Sequence, residues 1–292
     1  MSFDYARAMG RNLGFVTPKA QERLRTGRVF VCGAGGMGGV VIETLARAGL
    51  GSLVIADFDR FEVSNLNRQI LATLETLGRE KTEVARERLA VVRPDLELEV
   101  HGREWETALP AILSRTKVVV NAMDDLRAGL RLYREAARAG ATVIDAYTSP
   151  LPSVTRVSPR DPRPEERLGF PTAGVPLERI DDAMLASCRL REIEYVLTHS
   201  SSMDAVDPAI AAEMVAGKRP RFSFAPMVIA TGALMAGEAI DVLLERSGGA
   251  GCEGYFIDTR RARIERRKPS WIALPRGAMI RAALARMQRA RD

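Results

Sequence analysis

The stretch VCGAGGMGGVV, residues 31–41, decides the fold. It contains the pattern G-x-G-x-x-G at Gly33, Gly35 and Gly38, between two apolar runs. We predict that it forms a strand end, a glycine loop and a helix start, which together place backbone N–H groups against phosphate oxygens. The pattern alone does not identify the ligand, because NAD and ATP both carry phosphates that such a loop binds.

Around this stretch, apolar strand-like runs alternate with helical patterns. Strands are predicted at residues 28–33, 52–59, 97–102, 117–125 and 141–147. Helices are predicted at residues 5–26, 40–49, 78–92 and 130–140. This alternation is typical of an α/β fold with a doubly wound, Rossmann-like and mostly parallel sheet. We therefore assign the nucleotide-binding core to residues 28–149.

The second half of the chain has a different composition. Prolines are concentrated directly after the predicted core, and residues 150–224 predict an irregular crossover and substrate region with a short strand at 153–157. Residues 225–246 are apolar nearly all round, which predicts a long helix buried against the sheet. Residues 254–267 alternate weakly and indicate a hairpin, which would give the sheet a smaller antiparallel extension.

The positive charge is concentrated at the C-terminus. The chain has a formal net charge of +6, and residues 260–292 hold ten arginines and one lysine against two acidic residues. We divide the chain into a domain at 1–267 and a basic C-terminal tail or helix at 268–292. A solvated tail explains this charge, and a partner that carries phosphate, such as RNA or a membrane, stays open as the alternative.

The composition excludes several other classes. No apolar run reaches transmembrane length and the N-terminus has no apolar core for a signal peptide, so we expect a cytoplasmic protein without a membrane partner. The three cysteines, Cys32, Cys188 and Cys252, form no C-x-x-C pair. Only two histidines occur in the chain, which argues against a histidine-based metal site.

Four residues that follow the glycine loop in the sequence favour ATP over NAD as the ligand. Asp57 ends the second predicted strand, where a carboxylate accepts hydrogen bonds from a ribose hydroxyl. Cleavage of a triphosphate also needs cations, and Arg68 and Lys81 follow along the chain. Asp124 ends the fourth predicted strand, at the sheet edge where ligands bind, and is placed to hold Mg²⁺. This set of residues predicts a nucleotidyl-transfer site.

The same residues carry a resemblance to a known family. The chain reads G-x-G-G-x-G-G, then D-F-D-x-x-x-x-S-N-L-x-R-Q, then a lysine thirteen positions after that arginine, then an aspartate at the end of strand four. This order is similar to the MoeB/ThiF/HesA family, the bacterial relatives of ubiquitin-activating enzymes. The likeness covers roughly residues 5–267 and includes the apolar segment 225–246. It implies a ThiF-type adenylation domain.

The resemblance implies a role for each matching residue. The ATP loop would be formed by Gly33, Gly35, Gly36 and Gly38, and the ribose would be bound by Asp57. The phosphates would be contacted by Asn65, Arg68, Gln69 and Lys81, and Mg²⁺ would be held by Asp124. Arg68 and Lys81 would also act in catalysis by polarising the α-phosphorus. Arg7 would reach the partner's active site in a homodimer, with Arg11 as the second choice.

The chemistry implied by the resemblance is adenylation of a C-terminal carboxylate. The substrate would be a ubiquitin-like sulfur-carrier protein that ends in Gly-Gly, or a peptide, and the adenylate would pass to a separate sulfurtransferase or to an amine. A carboxylate is already ionised near pH 7, so the reaction needs positioning and charge neutralisation and no general base. A site that contains Arg and Lys side chains and no histidine suits that chemistry.

The chain departs from the family at the positions of a structural zinc. Many members carry two C-x-x-C pairs, and neither occurs here, so we expect no zinc. Some members transfer the acyl group to a cysteine. Cys188 is the candidate, because we expect it outside secondary structure, whereas Cys32 is expected in the core and Cys252 in a turn.

Other polar and aromatic residues have ordinary structural interpretations. Asp59 is interpreted as a solubilising or capping residue near the ATP site, and Asp125 as a helix cap. His199, followed by three serines, looks like part of a triad, but we expect it in a loop, because no acid partner is evident. Trp105 and Trp271 are expected to pack in the interior.

Three alternatives stay open from sequence. A dehydratase of threonylcarbamoyladenosine in tRNA would use the same ATP site on a nucleic acid, and the basic tail would suit it. A non-catalytic scaffold with a vestigial ATP site is less favoured, because Arg68, Lys81 and Asp124 are all present. An NAD-dependent oxidoreductase would need an acid for hydride transfer, and the sequence offers none.

Overall fold

The computed structural model describes residues 3–215 and 217–289. In these ranges eight strands form one sheet, in the order β3-β2-β1-β4-β5-β6-β7-β8. The strands are β1 (Arg28–Cys32), β2 (Ser52–Ala56), β3 (Glu97–His101), β4 (Val118–Asn121), β5 (Thr142–Asp145), β6 (Ser153–Val157), β7 (Tyr255–Asp258) and β8 (Arg263–Glu265). The first five strands are parallel and the last three antiparallel, which confirms the predicted fold class and its extension.

Helices cover both faces of this sheet. They are α1 (Tyr5–Met9), α2 (Pro18–Arg25), α3 (Gly36–Ala48), α4 (Lys81–Val92), α5 (Trp105–Arg115), α6 (Leu126–Arg138), α7 (Pro164–Arg167), α8 (Asp182–His199), α9 (Pro208–Val215), α10 (Ala225–Leu243) and α11 (Ser270–Arg289). Residues of α3, α4 and α10 form the core on one face, and residues of α5 and α6 form the core on the other. Such burial on both faces explains the continuous apolar runs of β1, β2, β4 and β5.

Helix α5 was not predicted from sequence. It contains Pro110, which weakens a helical pattern, and it begins at Trp105, whose side chain is buried beside Phe30. Burial of this large side chain supplies the tertiary packing that outweighs the proline. The expectation that Trp105 packs in the interior is confirmed.

The N-terminal helix predicted over residues 5–26 is wrong as a single element. The chain forms α1 and a short 3₁₀ turn, breaks, and resumes as α2. Gly14 has φ +112° and Pro18 begins α2, and both favour a break between two helices.

Helix α10 is buried on one face only and ends at Leu243, which corrects the prediction of a fully buried helix. Met235, Ala236 and Ala239 are in the core, whereas Ile229, in the N-terminal part of the helix, is exposed. Gly232 lies so close to α3 that a Cβ there would be 2.7 Å from the Val40 Cβ. By length and composition alone α10 could cross a membrane, but helices that pack on a protein core meet the same criterion.

The region 150–224 is more helical than expected, because it contains α7, α8 and α9. The C-terminal helix α11 packs on α8, where Ile280 and Leu284 are buried, while the side chain of Met287 lies outside the described residues. The Arg276 guanidinium donates to the Leu197 and Ser200 carbonyls at 3.0 and 2.8 Å. The prediction for Trp271 is wrong, since its side chain is 75% exposed.

Candidate functional site

The glycine loop joins β1 to α3 at the carboxyl edge of the sheet. Gly33 has φ +101°, and a Cβ there would be 2.5 Å from the Ala122 carbonyl oxygen, just past β4. A Cβ at Gly38 would be 1.8 Å from the Gly33 carbonyl oxygen. Both positions therefore need glycine, since the loop is folded tightly against α3 and against the end of β4.

The N-terminus of α3 is available to a ligand. Gly35 is the N-cap residue and no side chain caps the helix, so its first N–H groups keep their donor capacity. The buried Gln69 amide lies beside the loop, 3.6 Å from where a Cβ at Gly35 would be. Its Oε1 has no hydrogen-bond partner within the described ranges. Gly36 faces the Val228 side chain and the carbonyl oxygen and Cγ of Arg68, so the loop is lined on this side by α10 and by the turn that carries Arg68.

Asp57 connects the glycine loop to the predicted lysine. Its carboxylate accepts from the Ala34 N–H at 2.7 Å and from the Asp59 N–H at 2.8 Å. Asp59 in turn pairs with Lys81, with 2.9 Å between Oδ2 and Nζ. Lys81 is only 7% exposed, so its ammonium is held at a fixed place near the loop. The interpretation of Asp59 as a solubilising or capping residue is corrected: it is the partner of Lys81.

The turn that follows carries the next three predicted residues. The Asn65 side chain accepts from the Glu62 N–H at 3.2 Å, and the Asn65 carbonyl accepts from the N–H groups of Arg68 and Gln69. Asn65 is thus a turn-forming residue. The Arg68 guanidinium donates to the Ser64 carbonyl at 2.9 Å and is partly exposed.

Asp124 lies two residues beyond Ala122, which contacts the glycine loop. Its side chain is 82% exposed and pairs with Arg221, at 3.2 Å between Oδ1 and Nη1. The next residue, Asp125, accepts from the Ala128 N–H at 3.1 Å and caps α6, as predicted. Asp124 is therefore oriented to solvent, where a metal ion or a cationic group can reach it.

Two cavities lie at opposite ends of this edge. The first, of about 590 Å³, lies beyond β2 and β3 and is lined by Asp57, Phe58 and Arg103, among others. The second, of about 450 Å³, lies beyond β4 and β5 and begins at Asp124. Because β1 lies between β2 and β4, the order along the edge is first cavity, Asp57, glycine loop, Asp124, second cavity.

A carboxyl group that was not predicted from sequence lines the second cavity. Asp145 ends β5 and accepts from the Asn121 amide at 2.9 Å, the Tyr133 hydroxyl at 2.8 Å and the Ala146 N–H at 2.7 Å. Burial raises the pKa of Asp145 to about 7 against its ordinary 3.8, despite these three donors. The same rule that selected Asp57 and Asp124, an acid at the carboxyl end of a parallel strand, would have found it.

The pKa of Asp145 predicts a pH-dependent stability. Between about pH 4 and 7 the folded protein holds a proton that the unfolded chain has lost, so this carboxyl destabilises the fold progressively as the pH rises through that window. Asparagine does not titrate. From pH 5 to pH 8 we expect the free energy of unfolding of Asp145→Asn to increase by about 2–3 kcal/mol relative to wild type. Urea unfolding at both pH values measures this difference, and a constant difference would contradict it.

Arg7 lies far from the glycine loop of its own chain. It is exposed on α1, and the neighbouring Tyr5 hydroxyl donates to the Gly49 carbonyl at the C-terminal end of α3. The loop is at the other end of this 13-residue helix, roughly 20 Å away. The structure of one chain therefore does not bring Arg7 to the site.

The expectation for Cys188 is corrected by the structure. It lies inside α8, not outside secondary structure, and its side chain is fully buried beside Thr172. Burial raises the pKa of this thiol, which opposes the thiolate that acyl transfer needs. Cys32, also buried, and Cys252, in a turn, lie where they were expected.

His199 has a structural role at the end of α8, so its expected place in a loop is wrong. Its Nδ1 accepts from the Lys268 N–H at 3.0 Å, and its ring packs on Tyr195. Burial first, and then the nearby Arg267 and Lys268 charges, lower the pKa of His199 to about 4. The imidazole holds the start of the C-terminal segment and does not form a triad.

The match to a family model agrees with this geometry. Residues 5–270 match the ThiF family. The chain belongs to the ThiF family. Within residues 3–215 and 217–289, no cluster of three or more His, Cys, Asp or Glu side chains could hold a metal ion, and the absence of zinc stays a prediction.

Relatives of known name match only part of the chain. A sulfur carrier protein adenylyltransferase of Thermus thermophilus is 42% identical over 112 residues, 38% of this chain and 41% of the relative. A tRNA threonylcarbamoyladenosine dehydratase of Haemophilus influenzae is 40% identical over 92 residues, 32% of this chain and 35% of the relative. The chain thus spans well under half the length of these relatives.

The fold is also similar to solved structures. Escherichia coli MccB with ATP superposes with a TM-score of 0.60 at 19% identity, over 85% of this chain and 65% of that one. At this identity the likeness establishes the Rossmann-type fold alone.

Proposed function

We propose that this ThiF-family chain is an adenylyltransferase that uses ATP to activate a C-terminal carboxylate. One observation carries the proposal: Asp57, the glycine loop and Asp124 follow one another along one sheet edge, and the buried Lys81 pairs with Asp59 beside Asp57. An oxidoreductase would not need a buried lysine paired next to Asp57. The name of the Thermus relative, a sulfur carrier protein adenylyltransferase, supports the same reaction.

The residues at this edge suit a nucleoside triphosphate. The nucleoside would lie in the first cavity, with its ribose against Asp57. The phosphates would cross the N-terminus of α3, where its uncapped N–H groups and the Nε2 of the Gln69 amide would donate to them. Asp124 would hold Mg²⁺, which supplies charge neutralisation at the phosphate oxygens.

The protein side chains would stabilise charge during the transfer. A carboxylate oxygen attacks the α-phosphorus, the bond from that phosphorus to the bridging oxygen breaks, and pyrophosphate leaves with the electron pair. Lys81 and Arg68 would neutralise the charge that develops on the phosphate oxygens. Because Lys81 is already buried and paired with Asp59, little reorganisation of the protein is needed.

The proposed substrate is a ubiquitin-like sulfur carrier or a peptide. The use of the same ATP site on tRNA is the second candidate, and the Haemophilus relative favours it. However, part of the basic C-terminal charge is used inside the protein: Arg276 binds the end of α8, and Arg281 pairs with Glu194. That charge therefore gives less support to nucleic-acid binding than the sequence suggested.

A thermal shift tests the proposed function. MgATP at about a hundredfold its Kd should add about 2.7 kcal/mol to the free energy of unfolding, or roughly 4 °C in Tm. NAD at the same concentration should have no effect, since the site is proposed for a triphosphate. A shift with NAD alone, or with neither ligand, would overturn the proposal.

We also propose that the enzyme works as a homodimer in which Arg7 acts on the partner's site. Arg7 cannot reach its own loop across the length of α3. An apolar surface lies next to the loop, and its exposed side chains are those of Val63, Leu66, Ile70, Leu74, Phe224 and Ile229. Asn67 joins the two segments of this surface by donating to the Ser223 carbonyl at 2.9 Å. A second copy of the chain would bury these residues.

Mixed dimers test the role of Arg7. We expect Arg7→Ala and Lys81→Ala each to be inactive in ATP–pyrophosphate exchange with a substrate. A dimer of one variant chain with the other, isolated through two different tags, has one site with both residues intact. It should recover about half of the wild-type rate. Full activity of Arg7→Ala, or an inactive mixed dimer, would contradict action on the partner's site.

A further inference from the structure

The second cavity is built largely by the crossover region. Its base is formed by the ends of β4 and β5 and by α6, and its roof by α7, α8 and the segment that ends at Arg221. It opens beside Asp124, at the end of the phosphate-binding edge opposite the nucleoside. The substrate residue whose carboxylate attacks the α-phosphorus would therefore lie next to this cavity.

Hydrogen-bond acceptors face the interior of this cavity. Asp145 lies at the base, and Glu192 of α8 lies in the roof, where its Oε1 accepts from the Thr148 N–H at 2.7 Å. In residues 3–215 and 217–289, neither carboxyl group forms an ion pair. In the described part of the chain Glu192 accepts one hydrogen bond and Asp145 accepts three, whereas a carboxylate can accept about four, so both groups have capacity for a further donor. Burial also raises the pKa of both carboxyl groups.

The remaining charged groups lie around this interior. Arg167 donates to the Tyr147 hydroxyl at 2.6 Å, while its Nε is buried without a partner in the described part of the chain. The other charged side chains that line the cavity are those of Asp124, Asp125, Arg189, Arg219 and Arg221. Arg221 pairs with Asp124 and Arg219 with Glu213, so their positive charge is partly neutralised.

We propose that this cavity binds the side chain of the substrate's C-terminal residue, and that this side chain presents N–H groups to Asp145 and Glu192. The proposal rests on the proposed adenylation at Asp124 and names a substrate class for it. A chain that ends in Gly-Gly has no side chain to fill about 450 Å³, and both carboxyl groups would stay without a donor from the substrate. A carboxamide or a cationic side chain supplies that donor.

Exchange of labelled pyrophosphate into ATP tests this inference with synthetic peptides. The peptides share one sequence and differ only in the last residue, which is Gly, Leu, Asp, Asn, Gln or Lys. We expect Asn, Gln or Lys to give at least a tenfold higher kcat/KM than Gly, Leu and Asp. Comparison of kcat/KM for the Asn and Gln peptides with that for the Lys peptide shows whether the cavity prefers a carboxamide or an ammonium group.

Two variants assign the effect to the cavity. Asp145→Asn and Glu192→Gln should each raise KM for the preferred peptide about tenfold or more, with a smaller change in kcat. Glu97→Gln is the matched control, because Glu97 is an exposed acid on β3, outside the second cavity. The MgATP shift in Tm should be unchanged in all three proteins, which also shows that they are folded.

Three outcomes would overturn the inference: preference for Gly, equal rates with all last residues, or no exchange with any peptide while MgATP still stabilises the protein. Loss of MgATP binding by the wild-type protein is a different result, because it defeats the proposed function itself.

Discussion

Lys81→Ala is expected to slow ATP–pyrophosphate exchange by about 10²–10³-fold, because it removes one fixed cation from the charge that develops at the α-phosphate. The effect on the fold should be small. Lys81 pairs with Asp59, whose side chain is 59% exposed, so water can replace the lost partner. The measurement is the exchange rate at saturating substrate, together with a thermal melt to show that the variant is folded.

Two further variants serve as controls for Lys81→Ala. Asp59→Asn removes the partner and keeps the lysine, so we expect a loss of less than about tenfold if Asp59 only positions Lys81. Lys19→Ala removes an exposed lysine from α2 and should leave the rate unchanged. If Lys81→Ala keeps the wild-type exchange rate, Lys81 does not act in the transfer and its pairing with Asp59 is structural.

The sequence was informative wherever a position permits only one type of residue. The glycine pattern predicted the loop because only glycine fits at Gly33 and Gly38, and these two positions lie close enough in sequence for a short pattern to contain both. Four of the five parallel strands, β1, β2, β4 and β5, could be predicted for a similar reason, since burial on both faces produces continuous apolar runs. The edge strand β3 alternates polar and apolar residues.

Contacts between distant segments were harder to predict. The pairing of Asp59 with Lys81 joins residues 22 positions apart, and no local pattern distinguishes an acid that binds a lysine from one that is only solvated. Asp145 and Glu192 approach the same cavity from β5 and α8. Glu192 lies on a helix with weak amphipathic patterning in a region that was expected to be irregular, so nothing in the sequence linked it to the site.

The remaining wrong predictions concern the burial of Cys188 and of α10 in the folded chain. Cys188 was assigned to a loop, but it faces the small apolar cluster formed by Leu130, Phe170, Ile180 and Leu185. Helix α10 looked fully buried because apolar residues occur all round it, yet a single chain covers only one of its faces. Sequence composition does not say whether an apolar face contacts the same chain or a second copy.

Gly38→Ala is expected to destabilise the fold by at least about 3 kcal/mol and to abolish the MgATP shift. The added Cβ would lie 1.8 Å from the Gly33 carbonyl oxygen. That oxygen cannot move cheaply, because the Gly33 N–H donates to the Ala56 carbonyl at 2.7 Å and the residue has a positive φ. The loop must therefore separate from α3. Thermal melts should show a fall in Tm of roughly 5–10 °C.

Gly39→Ala is the matched control, one position along the same helix. A Cβ there would meet the Leu71 side chain at 3.6 Å and the Ala34 carbonyl at 3.7 Å, which are ordinary contacts. Because alanine favours a helix over glycine, we expect this variant to be as stable as wild type or up to about 1 kcal/mol more stable. It should keep the MgATP shift. Equal Tm values for the two variants would mean that the contact between Gly38 and Gly33 does not hold the phosphate loop against α3.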